Sequence, residues 1–321
     1  MDGAPRGLVN WLLRAFGLPG PGELTAAARG AMGRVWRLSG PFGQRAAKEL
    51  FGAPPAPEQV AAELAFAQRC RAVGVPSPAA LPGADGSTLQ VDPASGRTWR
   101  LFEWVDAAMP ARDDAATSVW LAGCLARMHR VAPPATTPVD PWYRQVTADW
   151  PRLADAALEQ GVTWGPALAR RTPELMELAA RVNAAPEEPA LFAHCDVNLT
   201  NVLLAADGRR WLVDWDNCGP MAPAQEIGRL FQDHYRDDVV VRGLAAAYRQ
   251  ADGPADLRGE HVMVAAQAIW LNYLAEQVTL LLQPDVDPSH ARHAEDGLVL
   301  LHQMPSPGQL EHTLRVLRAS G

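Results

Sequence analysis

Lysine is all but missing from this 321-residue chain: Lys48 is the only one, and the other 28 of its 29 basic residues are arginines. Where arginine serves for every other positive charge, one retained lysine points to a place that needs a compact ammonium on a slim stem. Cysteine is scarce as well. The four, at positions 70, 124, 195 and 218, form no close pair; that argues against a zinc knuckle or a disulfide framework and predicts reduced thiols in a cytoplasmic protein. No long apolar run is free of polar groups. The most hydrophobic stretch, residues 262–282, carries Gln267, Asn272, Glu276 and Gln277; four such groups are costly in lipid, so a core helix is expected there and no membrane partner. The apolar segment 8–16 is interrupted by Arg14 and precedes no small-residue cleavage site, so it reads as a short amphipathic helix and not a signal peptide. A basic excess is absent too. The formal charge is −7, with +2 up to Asp106 and −9 from there on. That balance excludes non-specific nucleic-acid binding as an expectation and would attract a cationic ligand wherever the acids converge.

What is present suffices for two lobes, since a chain this long, with 48% hydrophobic residues, can bury a sizeable core. Residues 34–38 alternate polar and apolar as a strand does, residues 40–43 form a turn, and residues 44–51 read as a second strand carrying Lys48. A helix is predicted over residues 58–72, with Val60, Leu64 and Ala67 on one face, Pro57 in its first turn and Gly74 ending it. Gly30 and Gly33 stand just before the first legible strand, and residues 87–91 and 98–104 read as a further hairpin pair. Asp113 or Asp114 caps a predicted helix over 115–131, near whose end His129 suits a structural role. Trp142, Tyr143, Trp150 and Trp164 are either pocket wall or core, and clustered aromatics are more often core. A turn-rich segment over 218–223 precedes predicted helices from 224, over 239–250, 257–282, 290–304 and 308–319.

The chain is organised around residues 189–216. An apolar run over 190–194 is followed by a polar loop with Asp196, Asn198, Thr200 and Asn201, then by a hairpin turning at residues 206–208, then by Asp214, Trp215 and Asp216. Asp196, Asn201 and Asp214 offer two carboxylates and an amide oxygen, hard ligands of the kind that hold magnesium while phosphate oxygens and water complete its shell. That donor set points to phosphoryl transfer.

His194-x-Asp196-x4-Asn201, followed after a hairpin by Asp214-Trp215-Asp216, resembles the catalytic loop and metal segment of the aminoglycoside phosphotransferase and choline kinase-like family, small-molecule relatives of the protein kinases. The resemblance runs from about Arg29 to Gln232. It implies an α+β, two-lobed protein-kinase-like fold, with a small antiparallel sheet in a nucleotide-binding lobe (1–106) and a larger helical catalytic lobe (107–321). It further implies that Asp196 orients or deprotonates the attacking hydroxyl, Asn201 and Asp214 hold Mg2+ on the nucleotide, and His194 braces the loop. Lys48 would contact the phosphates, fixed by an ion pair with Glu63, while Glu58 lies too near its helix start. Gly30 and Gly33 would belong to the phosphate-covering loop. Residues 101–106, with Glu103 and Val105, resemble the hinge where the purine of ATP or GTP lies against backbone groups. The family pattern is broken at Cys195, commonly glycine, and at Asn198, often histidine. The implied activity is transfer of the γ-phosphoryl group to a hydroxyl of a small, cationic molecule, an aminoglycoside or related antibiotic. A kinase of a macrolide, choline-like amine, sugar or amino-acid hydroxyl is the alternative within the class, and a non-catalytic nucleotide-binding regulator the alternative outside it. Whether the protein is a monomer or a dimer is not encoded in these features.

Overall fold

In the computed structural model, which describes residues 6–30 and 33–320, the chain forms two compact units: residues 1–112 with 199–216, and residues 113–198 with 217–321. In chain order the first unit holds α1 (Arg6–Ala15), β1 (Glu23–Arg29), β2 (Gly33–Gly40), β3 (Gly43–Leu50), α2 (Pro57–Ala72), β4 (Ala80–Leu81), β5 (Gln90–Val91) and β6 (Thr98–Glu103). The second unit follows with α3 (Ala115–Val131), α4 (Trp150–Glu159), α5 (Gly165–Ala184) and β7 (Leu191–Ala193). The chain returns to the first unit for the hairpin β8 (Val202–Leu204) and β9 (Arg210–Leu212). It finishes in the second with β10 (Gly219–Met221), α6 (Pro223–Asp233), α7 (Asp238–Gln250), α8 (Val264–Leu281), α9 (Pro288–Gly297), α10 (Leu300–Gln303) and α11 (Pro307–Ala319). The hairpin after the Asp196 loop thus groups with the N-terminal segment, which a linear division at 106/107 does not express.

The first unit is an antiparallel sheet in the order β1-β2-β3-β6-β4, with β5 pairing β6. One face is apolar: Trp36, Leu38, Ala47, Trp99 and Leu101 pack with Val9, Leu12 and Leu13 of α1 and with Phe16 just after it. The amphipathic segment of the sequence is therefore a sheet-covering helix, interrupted by Arg14 on its exposed side. Strand β1 is not signalled by the sequence. Its run Leu24-Thr25-Ala26-Ala27-Ala28 has little β-propensity, and it is an edge strand with only Leu24 buried. Because it exists, Gly30 follows the end of β1 and Gly33 opens β2, and Gly30 N–H donates to Gly33 C=O at 2.9 Å. Ala31 and Met32, between them, lie outside the described residues.

In the second unit α3 is capped by Asp114, whose carboxylate accepts from Thr117 N–H at 2.9 Å. Helix α5 carries Pro173 in its interior and is likewise not signalled, since an internal proline argues against a 20-residue helix. The segment expected to be turn-rich contains β10, paired with β7 through Gly219↔Ala193 and Met221↔Leu191. The helix expected over 290–304 is broken into α9 and α10. No described helix is long and apolar enough to cross a membrane.

Candidate active site

Strand β3 is buried on both faces toward its end, at Ala47, Lys48, Glu49 and Leu50. Alternation sends Ala47 and Glu49 to the α1 face, where Glu49 accepts from Trp36 Nε1 at 3.0 Å and pairs with Arg97. Lys48 points the other way, and its ammonium meets two carboxylates: Asp214 Oδ1 at 2.6 Å and Asp216 Oδ2 at 2.7 Å. Burial alone would lower the pKa of this amine; the charges of Asp216 and Asp214 outweigh it and raise the pKa, so the side chain is a fixed ammonium.

The two aspartates reach Lys48 because of the backbone between them. Asp214 adopts φ 62°, a left-handed torsion that bends the chain as it leaves β9. Trp215 turns the opposite way and packs edge-on against Phe66 of α2, ring centroids 5.8 Å apart, while its indole N–H donates to Leu212 C=O at 3.3 Å. Asn201 is tied to the same segment, its C=O accepting from Val213 N–H at 2.9 Å. The amide of Asn201 and the half-exposed carboxylate of Asp214 are hard donors, and Asp214 keeps one oxygen beyond the bond to Lys48. This donor set fits magnesium, which takes few protein ligands and fills its shell from phosphate and water.

Glu63 does not hold Lys48. The buried stripe of α2 is Val60, Glu63, Phe66, Ala67 and Cys70, with Leu64 only half-buried. The Glu63 carboxylate accepts a two-pronged contact from Arg100, with Nη2 at 2.8 Å and Nη1 at 2.9 Å. Arg100 Nη1 also donates to Asp216 Oδ1 at 2.8 Å. The predicted Lys48–Glu63 ion pair is therefore replaced by a relay through Arg100 and Asp216. Burial, with the charge of Asp216, holds the Glu63 carboxyl above its ordinary value, although the bonds and charge of Arg100 and the charge of Lys48 pull against it. Sequence reasoning misses Arg100, because one arginine among 28 carries no compositional signal.

The loop residues up to Asn198, expected from the sequence to be catalytic, belong to the second unit. Asn198 Nδ2 donates to Asp196 Oδ1 at 2.9 Å and to Asp196 C=O at 3.1 Å, and Asn217 Nδ2 reaches Asp196 Oδ2 at 3.4 Å. The residue standing in for histidine thus orients the carboxylate directly. Cys195 has φ 63°, a left-handed torsion that favours glycine. Its N–H donates to Glu226 Oε1 at 2.7 Å, while Glu226 Oε2 accepts from His129 Nε2 at 2.7 Å. His129 Nδ1 lies 2.8 Å from the Tyr248 hydroxyl, completing a buried brace of α3, α6 and α7 under the loop. Burial would raise the Glu226 carboxyl, but His129, His194 and the Cys195 N–H hold it below its ordinary value. Glu226 is the second residue that sequence reasoning misses; from the sequence it is only one residue of the helix predicted from 224. Tyr143 packs on Ala193, Cys195, Met221 and Ala265, and burial, then the neighbouring Cys195 and Asp196, raises its hydroxyl pKa. Trp142 stands at 88° to Tyr143 and donates its indole N–H to Glu276 at 3.0 Å.

The remaining expectations fall in the first unit. A Cβ on Gly33 would meet Glu49 C=O at 2.5 Å, so the approach of β3 by itself demands glycine there; Gly30 has open space. Glu103 binds Ala79 through its N–H at 3.0 Å and accepts Ala79 N–H on its carboxylate at 3.0 Å, tying β6 to the segment before β4. Val105 C=O accepts from Ala107 N–H at 3.0 Å as the chain leaves the sheet.

The sequence profile of the phosphotransferase enzyme family matches residues 23–263. Among curated proteins no sequence matches. Solved structures share the fold at low identity. A spectinomycin phosphotransferase in complex with ADP and spectinomycin aligns at TM-score 0.68 and 11% identity, over 100% of this chain and 98% of that one. An aminoglycoside phosphotransferase from Alicyclobacillus acidocaldarius aligns at 0.63 and 15%, over 92% and 91%. A choline/ethanolamine kinase family protein from Mesorhizobium loti aligns at 0.54 and 20%, over 98% and 98%. These likenesses establish the α+β, two-lobed kinase-like fold expected from the sequence.

Proposed function

Because the chain belongs to the phosphotransferase enzyme family, we propose that it transfers the γ-phosphoryl group of ATP or GTP to a hydroxyl of a small cationic molecule, an aminoglycoside or related antibiotic. The observation that carries this reading is the pairing of the only lysine with Asp214 at the end of a hairpin that begins beside Asn201. Lys48 aligns the phosphates, Asn201 and Asp214 hold magnesium, and Asp196 positions the acceptor hydroxyl and takes its proton. Charge neutralisation on the phosphates is what magnesium supplies when bound. The rest is positioning, from which phosphoryl transfer draws much of its acceleration. Asn198 and Asn217 keep the Asp196 carboxylate aimed, and the Glu226–His129 brace keeps its backbone in place. Gly30, Gly33, Glu103 and Val105 are assigned to the nucleotide, the glycines beside the phosphates and the other two beside the purine.

A cationic acceptor is supported by Tyr143, Trp142 and Glu276, since aromatic faces beside a carboxylate suit an amine. The test is turnover of ATP and GTP with magnesium across a panel of aminoglycosides, spectinomycin, macrolides, amino alcohols and sugars, read by nucleoside diphosphate release. Phosphorylation of an amine-bearing member is expected, with Asp196→Ala slower by at least ~10²-fold. Turnover confined to uncharged acceptors would refute the cationic assignment, and equal turnover by the variant would remove Asp196 from the chemistry.

A further inference from the structure

Strands β3 and β6 pair so that Lys48 and Arg100 stand directly opposite each other. Two like charges at facing positions of an antiparallel pair repel, and both side chains are buried, Arg100 with 1% of its side chain exposed. The arrangement holds only because three carboxylates thread between and around the cations in the order Glu63, Arg100, Asp216, Lys48, Asp214. Each link is 2.6–2.8 Å long. Asp216 is the shared member: one oxygen takes the ammonium, the other the guanidinium.

Resting on the kinase reading above, we infer that Arg100 is a positioning residue for the nucleotide, anchoring Asp216 to α2 and thereby setting where the Lys48 ammonium sits. A flexible carboxylate gripped only by a lysine could follow it; one gripped by a planar fork that is itself clamped two-pronged to Glu63 cannot. When phosphates compete for Lys48, Asp214 is the partner it can leave, because the other oxygen of Asp216 remains held by Arg100. Glu63 acts on the lysine at one remove. Arg100 also packs its guanidinium over Phe102, 5.0 Å from the ring centroid, a further restraint on the fork.

Lys48 being the only lysine, protein labelled with 13C-lysine yields one side-chain signal, a direct reporter of this amine. The informative variant is the double change Arg100→Met with Glu63→Met, which removes both buried charges and leaves neither orphaned. It is expected to stay folded, to move the Lys48 signal, and to weaken binding of AMP-PNP with Mg2+ by about tenfold, the scale of one charge-assisted hydrogen bond. Glu63→Gln alone, which leaves Arg100 on Asp216, is expected to weaken binding less than the double change. Arg100→Lys, which keeps the charge and loses the fork, should fall between wild type and the double variant. An unmoved Lys48 signal with AMP-PNP affinity within twofold of wild type would overturn the inference. So would Glu63→Gln matching the double variant in full, because that is the behaviour of a direct lysine–glutamate pair. Wild-type protein that binds no AMP-PNP would instead sink the kinase reading, and this role with it.

Discussion

Cys195 occupies a backbone torsion, φ 63°, that glycine adopts freely and other residues do not. Its thiol offsets that strain by packing with Ala193, Met221 and Ala265. Cys195→Gly removes strain and packing together and is expected to leave stability within about 1 kcal/mol of wild type, whereas Cys195→Val adds a branch at the strained position and should cost about 1–3 kcal/mol. Urea unfolding of both variants decides it; valine tolerated as well as glycine would disprove the strain argument. Glu226 makes a different residue-scale prediction. Its pKa in the fold is held below its ordinary value, so its contribution to stability is complete above about pH 4.5 and is lost as pH falls through the folded value. Wild type should therefore lose stability more steeply than Glu226→Gln as the pH is lowered below about 4.5, measured by urea midpoints. Parallel slopes would mean that the His129–Glu226 contact does not titrate with folding.

At the scale of elements, the segment after β9 is aimed by its tryptophan. Trp215 locks against Phe66 on α2 and Asp214 and Asp216 project from either side of it, so helix packing and carboxylate placement are one event. Trp215→Ala is expected to destabilise the protein by about 3–5 kcal/mol and to weaken AMP-PNP binding even at temperatures where the variant remains folded. A folded Trp215→Ala protein with wild-type nucleotide affinity would show that the aspartates are placed without it. Helix α1 makes the contrasting case: Leu12 is fully buried against the sheet, and Leu12→Ala should cost about 2–5 kcal/mol in urea unfolding with nucleotide affinity unchanged in the folded fraction.

For the molecule as a whole, nucleotide binding must appear as stability. AMP-PNP with Mg2+ at about 100 times its Kd should add about 2.7 kcal/mol to unfolding. Asp214→Asn should lose most of that increment, and chelation of the metal should reduce the wild-type gain toward the variant's. A thermal shift that is equal in both proteins, with or without metal, would take Asp214 out of metal binding. The family assignment fixes the class of reaction. The acceptor proposed from Tyr143, Trp142 and Glu276 is decided by the panel assay and not by the fold.

The chemistry was legible in the residues themselves. A solitary lysine stands out against 28 arginines, and Asp196, Asn201 and Asp214 sit on a short local framework whose spacing is readable without coordinates. Helix α3 and its Asp114 cap were readable for the same reason: their causes are local. Strand β1 and helix α5 were not, because an alanine-rich edge strand and a proline-bearing helix are held by neighbours that override their own propensities. Nor were the partners of Lys48 and Glu63. Which carboxylate meets which cation depends on the register that puts Lys48 opposite Arg100 and on the left-handed turn at Asp214. Sequence by itself therefore determined the family and the set of groups proposed for phosphoryl transfer. Only the tertiary structure decided how they pair, because ion pairs form between residues 37 to 168 positions apart, as Glu63 does with Arg100 and Lys48 with Asp216, and such pairings are set by packing and not by neighbourhood along the chain.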